Sequence, residues 1–174
     1  MPFTMRKILL TGEVGVGKST VVDRVLHLLD FPFGGFRTER LSAGGRLIGF
    51  RIVDIGTYSA GPIAKIAGEG RLIPHPQAFE DIGVQAIDRA LASKDLIVMD
   101  ELGFLELEAP RFQEMVLAAL KGPKPVLGVL KRGHNSFLDG IRALDDVEVI
   151  EVREDNRDRL PLEIAKALKG DRVR

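Results

Sequence analysis

The 174-residue chain has no cysteine and no tryptophan, and its only tyrosine is Tyr58. Without cysteine, disulfides and thiolate metal sites are excluded. Neither sign of charge is in surplus: 25 Lys plus Arg balance 25 Asp plus Glu, for a net charge of zero. Nucleic-acid binding driven by bulk charge is therefore not expected, although a local patch remains open. No apolar run approaches the ~20 residues a membrane-spanning helix needs. The opening Met-Pro-Phe-Thr-Met-Arg-Lys leads straight into Ile8-Leu9-Leu10. The reading is thus a cytoplasmic protein with no membrane partner. No internal repeat or low-complexity stretch is evident. His27, His75 and His134 are scattered without metal-ligand spacing. What the chain does have is 45% apolar residues, enough at this length for one domain, 1–174, with a real core.

One stretch organises the rest: Gly12-Glu13-Val14-Gly15-Val16-Gly17-Lys18-Ser19-Thr20, which reads G-x-x-x-x-G-K-S. An apolar strand-like run precedes it and an amphipathic run follows it, the context a phosphate-cradling P-loop requires. Its glycines allow a tight turn whose N–H groups converge on a phosphate. Lys18 can reach the terminal phosphates, the Ser19 hydroxyl is placed to ligate Mg²⁺, and a helix opening there adds its positive end. The whole loop, Gly12 to Thr20, is the candidate nucleotide cradle.

Taken in order, 6–11 reads as a strand and 19–29 as a helix with Val21, Val22, Val25, Leu28 and Leu29 at helical spacing. Phe31-Pro32-Phe33-Gly34-Gly35 breaks that helix. Two β-like runs, 36–41 and 46–55, flank Ser42-Ala43-Gly44-Gly45, a hairpin signal. Residues 56–79, rich in Gly and Pro, read as a long loop with short pieces of structure. Helices are expected over 81–92, from Pro110 onward, over 135–144 and over 160–168. Strands are expected at 95–100, 125–130 and 147–152. Strands alternating with helices predict an α/β fold: a doubly wound, mostly parallel P-loop sheet with an antiparallel hairpin addition and helices on both faces.

The run Leu96-Ile97-Val98-Met99 suits a central strand, and it ends in Asp100-Glu101. Such a strand sets Asp100 beside the P-loop, where it can hold Mg²⁺. Glu101 projects differently and is the candidate for orienting or deprotonating an attacking water. A water activator at this position favours hydrolysis over phosphoryl transfer to an acceptor.

Five segments together resemble the small nucleoside-triphosphatase family that includes the thermophile and the cancer-related nucleoside triphosphatases. They are the P-loop, Gly35-Phe-Arg-Thr-Glu39, Gly45-Arg-Leu-Ile-Gly-Phe50, Asp100-Glu-Leu-Gly-Phe-Leu-Glu-Leu107 and Glu151-Val-Arg-Glu-Asp-Asn-Arg-Asp158. The resemblance implies a Mg²⁺-dependent hydrolase of nucleoside triphosphates with loose base selectivity. Lys18, Ser19, Asp100 and Glu101 match that family's phosphate, metal and catalytic positions. Two departures stand out: Val14 where a proline is common, and Leu72 to Phe79 in place of a Gly-x-Tyr motif. No Asn-Lys-x-Asp segment supports strict guanine selection.

Other residues carry both a functional and a structural reading. Arg37 could neutralise charge on a γ-phosphate, or face solvent on its strand. Arg132, after Lys131, lies where open α/β sheets bind ligands. Asn156 and Arg157 could contact a base or cap the last helix. Glu106 matches the family's second glutamate. Beside the triphosphatase stand two rivals: a small-molecule kinase, whose acceptor pocket the 56–79 segment could supply, and a slow nucleotide-dependent switch.

Overall fold

In chain order the strands are β1 (Lys7–Thr11), β2 (Phe33–Ala43), β3 (Arg46–Asp54), β4 (Ala60–Ile66), β5 (Leu72–Pro74), β6 (Leu96–Leu102), β7 (Val126–Leu130) and β8 (Val147–Glu151). They come from a computed structural model that describes residues 5–170, and they form one sheet in the order β5-β4-β3-β2-β6-β7-β1-β8. The domain expected over 1–174 extends past the described residues at both ends. The α-helices are α1 (Lys18–Leu28), α2 (Val84–Ser93), α3 (Pro110–Lys121), α4 (Ser136–Arg142) and α5 (Leu160–Gly170).

The strands β2, β6, β7, β1 and β8 run parallel, as the alternation of strands and helices predicts. Every residue of β7 is buried, because such a strand is covered on both faces. The period-2 alternation of strand side chains sorts the core into two layers. Ile8, Leu10, Val98 and Leu127 pack with α1 and α5. Leu9, Ile97, Met99 and Val126 pack with α2 and α3 on the other face. Each such fully buried side chain contributes about 1.5–3 kcal/mol relative to exposure.

The hairpin is also present. β2 and β3 pair antiparallel around a two-residue turn at Gly44 and Gly45, with φ of 56° and 76°. β2 starts earlier than the 36–41 reading, because Phe33-Gly34-Gly35 already pairs with Leu96 to Val98 of β6. Gly35 is obligatory at that joint: its φ is 119° and a Cβ would stand 2.1 Å from the Val98 carbonyl oxygen.

The segment 56–79 differs from the expected loop. It holds β4 and β5, which extend the sheet antiparallel to its edge. β5 is the outermost strand, held by its backbone ladder alone, and β4, paired with both β3 and β5, buries only Ile63 and Ala64, so neither needs apolar alternation. All three residues of β5 are exposed, and β4 contains Pro62 and meets a register shift opposite Phe50 and Arg51. A wide helical turn, Phe79–Gly83, then leads into α2. Phe36, Phe79 and Phe112 stack at 4.8–5.2 Å between ring centroids and fasten the hairpin to α3.

Candidate active site

β1 ends at Thr11 and α1 begins at Lys18, so the loop between them lies at the carboxyl end of the parallel strands, where open α/β sheets bind ligands. It borders a pocket of about 620 Å³ that is also lined by Thr38, Arg40, Phe50, Asp100, Glu101 and Lys131. Lys18 folds across its own loop and donates from Nζ to the carbonyl oxygens of Gly12 (2.8 Å) and Glu13 (2.7 Å). Burial holds the Lys18 ammonium below its ordinary pKa, against the opposing pull of Glu101 and Asp100.

The paired register of β2 and β6 sets Arg37 opposite Asp100, and one turn of α1 separates Ser19 from Asp23. These four side chains meet. The Ser19 hydroxyl donates to Asp100 Oδ1 at 3.2 Å, and Arg37 donates to Asp23 Oδ1 at 2.6 Å. Asp100 Oδ2 and Arg37 Nε are buried without a hydrogen-bond partner. Burial pushes the Asp100 carboxyl up to about 6, with Glu101 and Asp23 adding to the rise and Ser19 and Arg37 opposing it. A buried carboxylate with an orphaned oxygen beside a serine hydroxyl is a hard-oxygen donor set, and it fits a Mg²⁺ ion.

Glu101 lies half-buried at the edge of the pocket, and its carboxylate accepts no hydrogen bond from the described residues. The loop after it is held firmly. Glu106, 2% exposed, accepts the Gly103 N–H, while Asn135 Nδ2 donates to the Gly103 carbonyl. Burial raises the Glu106 carboxyl to about 7.

A family model described as NTPase matches residues 7–165. The chain belongs to this NTPase family. The NTPase is 35% identical over 170 residues to nucleoside-triphosphatase THEP1 of Thermotoga maritima, covering 95% of this chain and 97% of that one. It is 36% identical over 173 residues to the THEP1 enzyme of Thermofilum pendens, covering 94% and 95%. Its fold is similar to the crystal structure of THEP1 from the hyperthermophile Aquifex aeolicus, with a TM-score of 0.80 at 25% identity over 95% of this chain and 99% of that one. It is also similar to the solution structure of a human cancer-related nucleoside triphosphatase, with a TM-score of 0.78 at 27% identity over 95% and 98%.

The NTPase brings some of the sequence-predicted residues together and sets others apart. Gly12, Glu13, Gly15, Gly17, Lys18, Ser19 and Thr20 share the pocket with Asp100, Glu101 and Arg132. Val14 also lines this pocket while remaining 81% exposed, and Val16 does not line it but packs against the buried cluster that includes α1. Arg132 pairs with Glu13 at 3.3 Å and with Glu151, across the rim of the loop. Arg157 donates to the Val16 carbonyl at 3.2 Å from outside the loop. Asn156 is buried, and both ends of its amide are engaged by backbone, at Arg153 N and Glu151 O. Asp23 and Thr38 were not singled out by sequence. For Asp23 a signal existed: it lies four residues after Ser19 on one helix face.

Proposed function

We propose that this NTPase hydrolyses nucleoside 5′-triphosphates to the diphosphate and phosphate at the P-loop, using Mg²⁺ and accepting several bases. The observation that carries the reading is the Ser19–Asp100 contact with its unpartnered Asp100 oxygen, set beside an uncommitted Glu101. Ser19 and Asp100 would hold the ion, which when bound supplies positive charge to the β- and γ-phosphate oxygens.

The residues of the chain do the rest. Backbone N–H groups of residues 12–20 bind the phosphates, aided by the N-terminus of α1. Lys18 exchanges its loop carbonyls for phosphate oxygens, a stronger acceptor for an ammonium. Glu101 orients the attacking water and takes its proton. Arg37 leaves Asp23 for the γ-phosphate as charge develops there, and Arg132 adds charge from the rim. Arg157 steadies the outer side of the loop near the base, and Asn156 holds the turn that carries it. No helix among the described residues is long and apolar enough to cross a membrane.

The test is phosphate release from ATP, GTP, CTP and UTP with Mg²⁺ and no acceptor, for wild type and Glu101→Gln. Release from several nucleotides, lowered by about 10²-fold or more in the variant with nucleotide binding retained, is expected. Binding without release from any nucleotide would overturn the hydrolytic reading.

A further inference from the structure

A second cavity, about 160 Å³, opens on the side of Glu101 away from the P-loop. Its walls are mainly apolar: Phe50 of β3, Ile63 of β4, Leu72 of β5, Phe79 and the Phe104-Leu105 pair after β6. The buried Glu106, whose carboxylate accepts the Gly103 N–H, is a polar member away from the shared boundary. Four residues, Thr38, Phe50, Glu101 and Lys131, line both this cleft and the P-loop pocket, so the two spaces share one boundary. The charged groups on that boundary are uncommitted. Glu101 accepts no hydrogen bond and Lys131 forms no ion pair among the described residues; its Nζ sits 5.6 Å over the Phe104 ring. Phe104 and Leu72 remain 38% and 42% exposed, large apolar side chains left open to solvent at the cleft.

Activation of water needs none of this. A carboxylate that orients water requires only water, and a chamber walled mainly by Phe50, Ile63, Leu72, Phe79, Phe104 and Leu105 adds nothing to that task. The chamber is smaller than the ~300–1,000 Å³ sites of drug-sized ligands and is closed on several sides by β4, β5 and the post-β6 loop. It fits one small apolar body whose polar end emerges at Glu101.

Resting on the triphosphatase reading of the adjoining pocket, we infer that this cleft is a phosphoryl-acceptor site for a small alcohol with an apolar body. The hydroxyl takes the place of the attacking water. The alcohol oxygen bonds to the γ-phosphorus, and the bond from that phosphorus to the β–γ bridging oxygen breaks. The nucleoside diphosphate leaves with the electron pair, and the hydroxyl proton passes to the Glu101 carboxylate. Lys131 faces the group in transit from the shared boundary. An apolar occupant also displaces water from beside Glu101, so transfer gains over hydrolysis when the cleft is filled.

The test uses the full chain with ATP and Mg²⁺, benzyl alcohol as acceptor and methanol as a control that is too small to fill the cleft. Phosphorus NMR reads benzyl phosphate and free phosphate together. Benzyl phosphate is expected at a ratio to free phosphate at least tenfold above that of methyl phosphate at equal alcohol concentration. Leu72→Asp, at an exposed edge position outside the P-loop pocket, is expected to remove that preference while phosphate release persists. Titration of the nucleotide-free protein with benzyl alcohol should move the amide resonances of Leu72 and Phe104. Phosphate release with no benzyl ester, or a benzyl preference untouched by Leu72→Asp, overturns the acceptor site and leaves hydrolysis standing. Absence of both products overturns the hydrolytic reading, and the transfer with it.

Discussion

The two halves of the sheet are built by different means. In the parallel half, β6, β7 and β1 are covered on both faces, and their side chains are almost all buried. In the antiparallel half, α2 and α3 cover one face of the hairpin, and the strands carry a mixture of buried, half-buried and exposed positions. The parallel half delivers groups whose positions are fixed by the strand-to-loop geometry: the P-loop, Ser19 and Asp100. The antiparallel half delivers groups that lean over the same pocket from β2 and β3, Thr38, Arg40 and Phe50, while Arg37 lies behind them in a neighbouring cleft beside Asp23. A pocket floor made by rigid strands and a wall made by an edge-extended hairpin can change independently. On the proposed reading of the site, the wall is where acceptor and base preference can vary over one phosphate-binding floor.

The largest effect tests the floor. Lys18→Ala removes the one ammonium that spans the loop, and turnover with ATP is expected to fall by about 10³-fold, several kcal/mol of barrier. Phosphate-release kinetics and nucleotide titration check it together. Turnover within tenfold of wild type would detach Lys18 from the chemistry.

The joint between the halves comes next. Gly35→Ala puts a methyl group against the Val98 carbonyl at a φ of 119°, and it has nowhere to move within the β2–β6 pairing. Overpacking against backbone together with left-handed strain should lower stability by about 3 kcal/mol or more. A urea unfolding midpoint measures it. An unchanged midpoint would mean that the two halves are not rigidly joined at this pair.

The wall itself is tested by Arg37→Ala. If Arg37 serves the γ-phosphate only as charge develops, kcat falls by about tenfold to a hundredfold while KM changes little. Asp23→Asn separates this role from simple packing. It keeps an acceptor oxygen for the guanidinium but removes the charge that holds it at 2.6 Å, so KM should shift while kcat is largely kept. A fall in stability with no kinetic effect from Arg37→Ala would return the arginine to a structural role.

Legibility followed the same division. The P-loop, the apolar run of β6 ending in two carboxylates and the Gly-Gly turn were readable, because each is enforced by a local rule of spacing or backbone conformation. β4 and β5 were not, since β5 is an exposed edge strand and β4, paired on both sides, buries only Ile63 and Ala64, so neither shows a side-chain period. Asn156 illustrates a further limit. Its motif placed it near the site, but whether an amide faces a ligand or its own turn depends on tertiary burial, and here both ends are turned inward. The apolar cleft was invisible for the same reason: its lining comes from β2, β3, β4, β5, the turn before α2 and the loop after β6, and only folding joins them.

The smallest expected effect uses two buried acids of the parallel half. Glu106 rises from an ordinary 4.5 to about 7, and Asp100 from 3.8 to about 6, both chiefly through burial. In each case the folded state keeps a proton that the unfolded state has lost. Stability is therefore fully present below the unfolded pKa and declines as pH rises toward the folded one, by at most about 1.4 kcal/mol per pH unit for each proton. The windows overlap below about 6, but between about 6 and 7 only Glu106 still titrates in the folded protein. Glu106→Gln should flatten the urea midpoint against pH in that upper interval and leave the Asp100 slope below it. Added Mg²⁺ should act in the opposite place. It favours ionised Asp100, so its stabilising effect fades as pH falls below about 6 while the Glu106 interval is unmoved. If Glu106→Gln and wild type kept parallel slopes from pH 6 to 7, the burial that raises Glu106 would be relieved in solution, and the hold on Gly103 that steadies Glu101 would be weaker than its geometry implies.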